Sequence, residues 1–433
     1  MNLQLGALLA ALAACLAAPV HAGLPPVPVP PENPVTEPKR VLGKILFWDE
    51  QLSSDGSVAC GTCHRPGAGG GDPRVGRHPG VDKGTIDDVL GSPGIVALGR
   101  DGKPRPHEIF GTAPQVTARL SPSNFGSLWA NELFWDGRAG PEVMDPATGK
   151  VAIAHGGALE NQILATLLND AEMAKAGRSW ADVAADVVRS RPLALATDWP
   201  PDVAAAIGQS PTYTRLFAAA FGDATITPIR IAFAIATYQR TLIADQTPWD
   251  RFDSGDASAL SSRALYGWRA FQAFHCAACH TPPLFTNDEF FQIGVRRADF
   301  DRGRENVTHD PEDAGEMKVP TLRNAALRPR FMHTGEFASL GAAVRFYVNA
   351  LPLPERDGIP GAGLYTFNLS QIDEGDLREF LTAALTDPRV RDETFPFDRP
   401  MLRSERLGGA GVTVSVQPNG RRTGAVDSAE PKP

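Results

Sequence analysis

Apolar positions recur along this chain mainly at helical spacing. Leu159, Ile163 and Leu167 repeat every four residues, and Ile231, Ile235, Tyr238 and Leu242 follow steps of four, three and four. Each set lines one face of a predicted helix. Leu265, Trp268 and Phe271 form a third stripe; Leu377, Phe380, Leu381, Ala384 and Leu385 form a fourth. Ser370 and Asp373 stand where a capping box would open that last helix. Strand patterns are scarce, and the best, Val412–Val416, lies in a Gly- and Pro-rich tail. Residues 65–108 have no helical period and read as a long ordered or semi-ordered loop.

Composition bounds the architecture. The hydrophobic share of 42% and charged share of 21% are those of a globular protein. At 433 residues the chain exceeds what one core usually supports, roughly 250–300 residues, so two domains are expected. The stretch Asp245–Ser258, with Pro248 and Gly255, reads as their junction. The net charge of −8 argues against a nucleic-acid partner, which would call for a basic stripe.

Residues 1–22 contain no Lys, Arg, Asp or Glu, and an apolar run from Leu3 to Val20 precedes a small residue at Ala22. This reads as a signal peptide cleaved near Ala22, leaving no transmembrane span in the mature protein. An uncleaved anchor is the alternative, since about 20 apolar residues can span a bilayer. Leu12-Ala13-Ala14-Cys15 also has the form of a lipoprotein box. The expected location is the periplasm, with anchoring through Cys15 the lesser alternative. Residues 23–39 form a Pro-rich, polyproline-like leader. From Ser404 to residue 433 the composition is that of a disordered tail.

Four of the five cysteines fall in Cys60-Gly61-Thr62-Cys63-His64 and Cys276-Ala277-Ala278-Cys279-His280. Cys-x-x-Cys-His is the attachment sequence of c-type haem. Two thiols three positions apart on one helical turn can form thioethers to both vinyl groups, and the following His can ligate the iron. The alternatives are a zinc site or a thioredoxin-like redox pair. Neither gives His a purpose at the same offset twice. Each half therefore carries the motif, a Pro-rich loop and then helices, a weak internal repeat.

Further segments accompany the motifs. They are Leu42-Gly43-Lys44-Ile45-Leu46-Phe47, Leu52-Ser53, Phe134-Trp135-Asp136-Gly137-Arg138, Asn161-Gln162 and Glu172-Met173 in the first half. In the second they are Gly267, Phe271, Phe285-Thr286, Ile293-Gly294-Val295, Val319-Pro320-Thr321-Leu322-Arg323-Asn324 and Phe331-Met332-His333-Thr334-Gly335. In combination, over roughly residues 40–400, the chain resembles the bacterial dihaem cytochrome c peroxidase superfamily, which includes MauG.

The resemblance implies roles for particular residues. Trp135 would lie between two haems. Gln162 and Glu172, ten residues apart, would line the peroxide pocket of the first haem. A carboxylate can move a proton between peroxide oxygens while an amide holds the distal one. Tyr347 stands fourteen residues after His333, where peroxidases of the superfamily carry an axial Met and MauG-like members a Tyr. A phenolate favours Fe(III), lowering the potential. Met317 and Met332 are rival ligands at other offsets. Some relatives bring a further His from the loop after the first motif; here His78 and His107 are the candidates. The resemblance also implies calcium between the haems. Leu120 stands where those relatives have Asn, and Leu327-Arg328-Pro329-Arg330 departs from their Thr-Ala-Pro, which makes calcium at that site doubtful.

The expectation is a mainly α-helical protein of two cytochrome-c-like domains, 40–250 and 251–403, each holding one covalent haem c. The iron ligands would be His64 in the first and His280 with Tyr347 in the second. The resemblance implies a periplasmic peroxidase that reduces hydrogen peroxide with electrons from a small cytochrome, a cupredoxin or a small-molecule donor. The alternatives are oxidation of Trp or Tyr on a partner protein, which Tyr347 favours, and a non-enzymatic dihaem electron carrier. A homodimer is compatible with all three.

Overall fold

The structure, a computed structural model, describes residues 23–80, 87–349 and 371–408. The expected signal peptide, the lipoprotein box, the cap at Ser370, the Val412–Val416 strand and most of the tail lie outside them. Among the described residues the chain is mainly helical, with four two-stranded antiparallel sheets. The helices in order are α1 (Glu37–Phe47), α2 (Cys60–Cys63), α3 (Ala158–Thr166), α4 (Trp180–Arg189), α5 (Pro201–Gln209), α6 (Tyr213–Phe221), α7 (Pro228–Gln239), α8 (Pro248–Asp253), α9 (Ser262–Ala273), α10 (Cys276–Cys279), α11 (Glu305–Thr308), α12 (Leu340–Asn349), α13 (Gln371–Glu379), α14 (Pro388–Arg391) and α15 (Arg403–Leu407). Helix α13 runs into a π turn at Phe380–Ala384. Among the described residues no helix is long and apolar enough to cross a membrane.

The four stripes read from the sequence fall on α3, α7, α9 and α13 with its π turn. They build two cores. The larger gathers Leu42, Ile45 and Phe47 of α1 with Ile163 of α3, and Ile231, Ile235 and Tyr238 of α7. The smaller gathers Trp249, Phe271, Phe285, Phe380 and Leu385. In each, the helix preceding the Cys-x-x-Cys-His turn crosses another helix at a glycine. A Cβ on Gly43 of α1 would run into the Ala234 carbonyl of α7, and one on Gly267 of α9 into the Asp376 carbonyl of α13. Glycine there lets the backbones touch.

Two expectations need correction. Residues 65–108 contain strands β1 (Gly76–His78), β2 (Val89–Gly91) and β3 (Pro93–Val96). Segments of three or four residues are too short to show a period. The expected second domain, 251–403, ends too late: Val390, Phe397 and Leu402 return to the larger core. The Pro-rich leader is tied to the rest of the fold. Trp129 Nε1 donates to the Pro25 carbonyl at 2.9 Å, and Arg240 Nε to that of Pro28 at 3.2 Å. Buried Asn33 Nδ2 donates to Glu160 at 2.9 Å. Proline lacks a donor but keeps its carbonyl, so the prolines of this strap are held as acceptors while Asn33 donates.

Candidate haem and peroxide site

Both histidines of the attachment motifs are oriented by backbone carbonyls. His64 Nδ1 lies 3.1 Å from the Gly70 oxygen, with the Pro122 carbonyl also bonded to it. His280 Nδ1 lies 3.1 Å from the Pro320 oxygen and 3.2 Å from that of Phe285. A neutral imidazole that donates from Nδ1 presents Nε2 as a lone pair, the usual arrangement of a metal-ligating His. Burial pushes the pKa of both rings down, His280 to about 4, which favours the neutral imidazole that can ligate at physiological pH.

Two adjoining cavities meet at His64. One, about 520 Å³, is lined by Cys60, Cys63, His64, Gln162, Glu172 and Phe47. The other, about 550 Å³, is lined by His64, Gln162, Phe134, Trp135 and residues 318–321 of the second half. The structure thus brings Gln162 and Glu172, the pair implied by the family resemblance, to one cavity beside the first motif. Gln162 lies on α3. Glu172 lies beyond it, half-buried, where Asn169 Nδ2 donates to its Oε1 at 3.0 Å. Burial raises the Glu172 carboxyl to about 7, with Arg138 and Thr166 pulling the other way. A carboxyl poised near neutrality can both take and return a proton.

Trp135 is buried, its Nε1 donating to the Leu120 carbonyl at 2.7 Å and its ring 6.0 Å from that of His333. The two rings occupy matching loops. Phe134 and Gly137 have positive φ, and Leu133 bridges Ala139; Met332 and Gly335 have positive φ, and Phe331 bridges Phe337. Leu120 lies fifteen residues before Trp135, and Lys318 fifteen before His333. The loops exchange bonds across the junction: Leu120 N–H donates to the His333 oxygen and Lys318 N–H to the Trp135 oxygen, each at 2.7 Å. The weak repeat is therefore a reciprocal one. Sequence reading missed this, although the equal spacings, with Pro122 and Pro320 thirteen residues before each ring, carry the signal.

Tyr347 lies on α12, close enough to Cys276 and Cys279 for their charge to reach it; burial first, and those sulfurs second, hold its phenol protonated well above the usual range. His78 and His107 do not join the cavities at His64. Both rings sit against Phe110, and each Nδ1 accepts a backbone N–H. Among the described residues no group of three or more His, Cys, Asp or Glu converges as a metal site.

A family model for di-haem cytochrome c peroxidase matches residues 37–258. The chain belongs to that family. It is accordingly an oxidoreductase of the peroxidase class, with haem c as its cofactor. It is 28% identical over 358 residues to the methylamine utilization protein MauG of Methylophilus methylotrophus, covering 82% of this chain and 84% of that one. It is also 28% identical over 431 residues to the cytochrome-c peroxidase IdrP1 of Denitromonas iodatirespirans, covering 89% and 94%. A solved MauG-like protein associated with microbial copper homeostasis shares the fold at a TM-score of 0.58 and 24% identity, covering 88% of this chain and 97% of that one. The diheme peroxidase BthA of Burkholderia thailandensis gives 0.54 at 20% identity, covering 86% and 91%.

Proposed function

We propose that this protein is a periplasmic peroxidase that reduces hydrogen peroxide at a first haem, with electrons relayed through a second. One observation carries the reading: Gln162 and the half-buried Glu172 line the same cavity as Cys60, Cys63 and His64. The donor set fits haem c, since each candidate histidine ligand, His64 and His280, has its Nδ1 on a backbone carbonyl. Cys60 and Cys63 would attach the first haem and Cys276 and Cys279 the second, with His64 and His280 on the irons. When bound, haem supplies the redox equivalents and the electrophilic iron that breaking the peroxide bond requires. Glu172 takes the proton from the proximal peroxide oxygen and returns it to the distal one, so that the departing oxygen leaves as water. The Gln162 amide holds that distal oxygen. Trp135, between the cavity at His64 and the His333 loop, couples the two halves.

Tyr347 favours a second reading within the same enzyme class. Placed beside Cys276 and Cys279, it is a candidate ligand of the second iron. A phenolate there would lower that haem's potential and suit oxidation of a Trp or Tyr on a partner protein. The spectrum of the purified protein tests enzyme against electron carrier. High-spin ferric haem, at rest or after half-reduction, together with peroxide consumption is expected. Two haems that stay wholly low-spin and inert to peroxide would leave only the carrier. Peroxide turnover with a small cytochrome, set against turnover with a Trp- or Tyr-bearing protein, separates the two enzyme readings.

A further inference from the structure

The segment Arg119–Ser121 is tied to the second half at three successive residues. Arg119 Nη1 meets Asp136 at 2.7 Å, while its Nε and Nη2 meet Asp301 at 2.8 and 2.6 Å. Leu120 donates its N–H to the His333 oxygen and accepts from Trp135 Nε1. The Ser121 carbonyl accepts from Arg328 Nη2 at 2.7 Å. Arg328 also fills the space left by two glycines: a Cβ on Gly69 or Gly71 would strike its side chain. Between them, Gly70 supplies the carbonyl that orients His64. A guanidinium of the second half thus braces the loop that aims the candidate iron ligand of the first.

These residues do not fit a divalent cation. The buried side chain of Leu120 offers no oxygen. Asp136 and Asp301 are already engaged by Arg119. Arg328 adds a second fixed positive charge, its Nη1 buried without a partner in the protein. Calcium would need oxygen ligands where the chain supplies an alkyl group and like charge.

We propose that Arg119 and Arg328 are the resident cations of this junction, holding Trp135, His333 and the His64 loop in register without calcium. They are positioning residues, and the inference rests on the di-haem reading above. Arginine suits the task because its planar fork fixes two or more acceptors at once and cannot be removed by a chelator. The isolated halves are then always joined, whereas a metal-held junction would depend on the metal supply.

The test uses the full-length holoprotein. Haems per chain are counted first, so that failure of the di-haem reading registers separately. After treatment with EGTA, elemental analysis is expected to find no stoichiometric calcium, and neither EGTA nor added calcium should alter the spectrum or peroxide turnover. Arg119→Leu and Arg328→Leu proteins that still carry two haems should equilibrate electrons between the haems about ten- to a hundredfold more slowly after half-reduction, the scale of an ångström-sized misplacement. Arg119→Lys and Arg328→Lys, which keep the charge and lose the fork, should fall between; they serve alone if the Leu variants fail to load haem. One calcium per chain whose removal changes spectrum or turnover would overturn the proposal. So would arginine variants that equilibrate at the wild-type rate.

Discussion

Glu172 shows how burial converts an ordinary carboxyl into a proton shuttle. With its pKa raised to about 7, the carboxylate forms only as pH rises through neutrality. Peroxide turnover should therefore climb through about pH 7 and level off above it. Glu172→Gln should be about 10²–10⁴-fold slower, with a flat profile and unchanged haem content. Stability should move oppositely. The contribution of a neutral buried Glu is complete below its ordinary value of 4.5 and lost as pH rises through about 7. Glu172→Gln should then melt above wild type at pH 8 and not at pH 5. A flat wild-type rate profile would remove the carboxyl from the proton path. Tyr347 makes a separate prediction. If it ligates the second iron, Tyr347→Met should raise that haem's potential, because a thioether favours Fe(II). A redox titration that does not move would assign the residue to packing.

Among the elements, the paired helix crossings set the geometry of both attachment turns. Ala for Gly inside a helix normally gains about 0.5–1 kcal/mol in propensity. At Gly43 and Gly267 the added methyl meets a facing backbone carbonyl, and overpacking costs typically 1–3 kcal/mol. The steric term wins, so Gly43→Ala and Gly267→Ala should each lower the urea midpoint. Gly208→Ala on α5, where a Cβ meets nothing within 4 Å, should raise it slightly. Equal effects at all three positions would mean that the crossings do not depend on close approach. The four apolar stripes were legible because a helix repeats its face over three or more turns. The β1, β2 and β3 strands were not, because three or four residues in a loop show no alternation and are specified by their pairing partners.

For the whole molecule, the reciprocal bonds between the Trp135 and His333 loops make the two halves dependent on each other for alignment and independent for cofactor attachment. Replacing Cys276 and Cys279 with Ala should remove one covalent haem and leave the other, as counted after acid-acetone extraction; loss of both would mean that the halves load together. The chain order by itself determined the helical class, the two attachment motifs, and the spacing of Gln162, Glu172 and Tyr347. The helices and the motifs follow from local periodicity and from chemistry that fits within one turn, while the meaning of the Gln162, Glu172 and Tyr347 positions rests on the family resemblance. The chain order left the far end of the second unit misplaced, because the return of Val390, Phe397 and Leu402 to the larger core depends on which surface was left uncovered. Only the tertiary structure decided that Trp135 faces His333, that Arg328 braces the loop beneath His64, and that His78 turns to Phe110 instead. Such contacts join residues up to some 250 positions apart in the chain. No local pattern encodes them, since each is fixed by the fit of two surfaces that come together only in the fold.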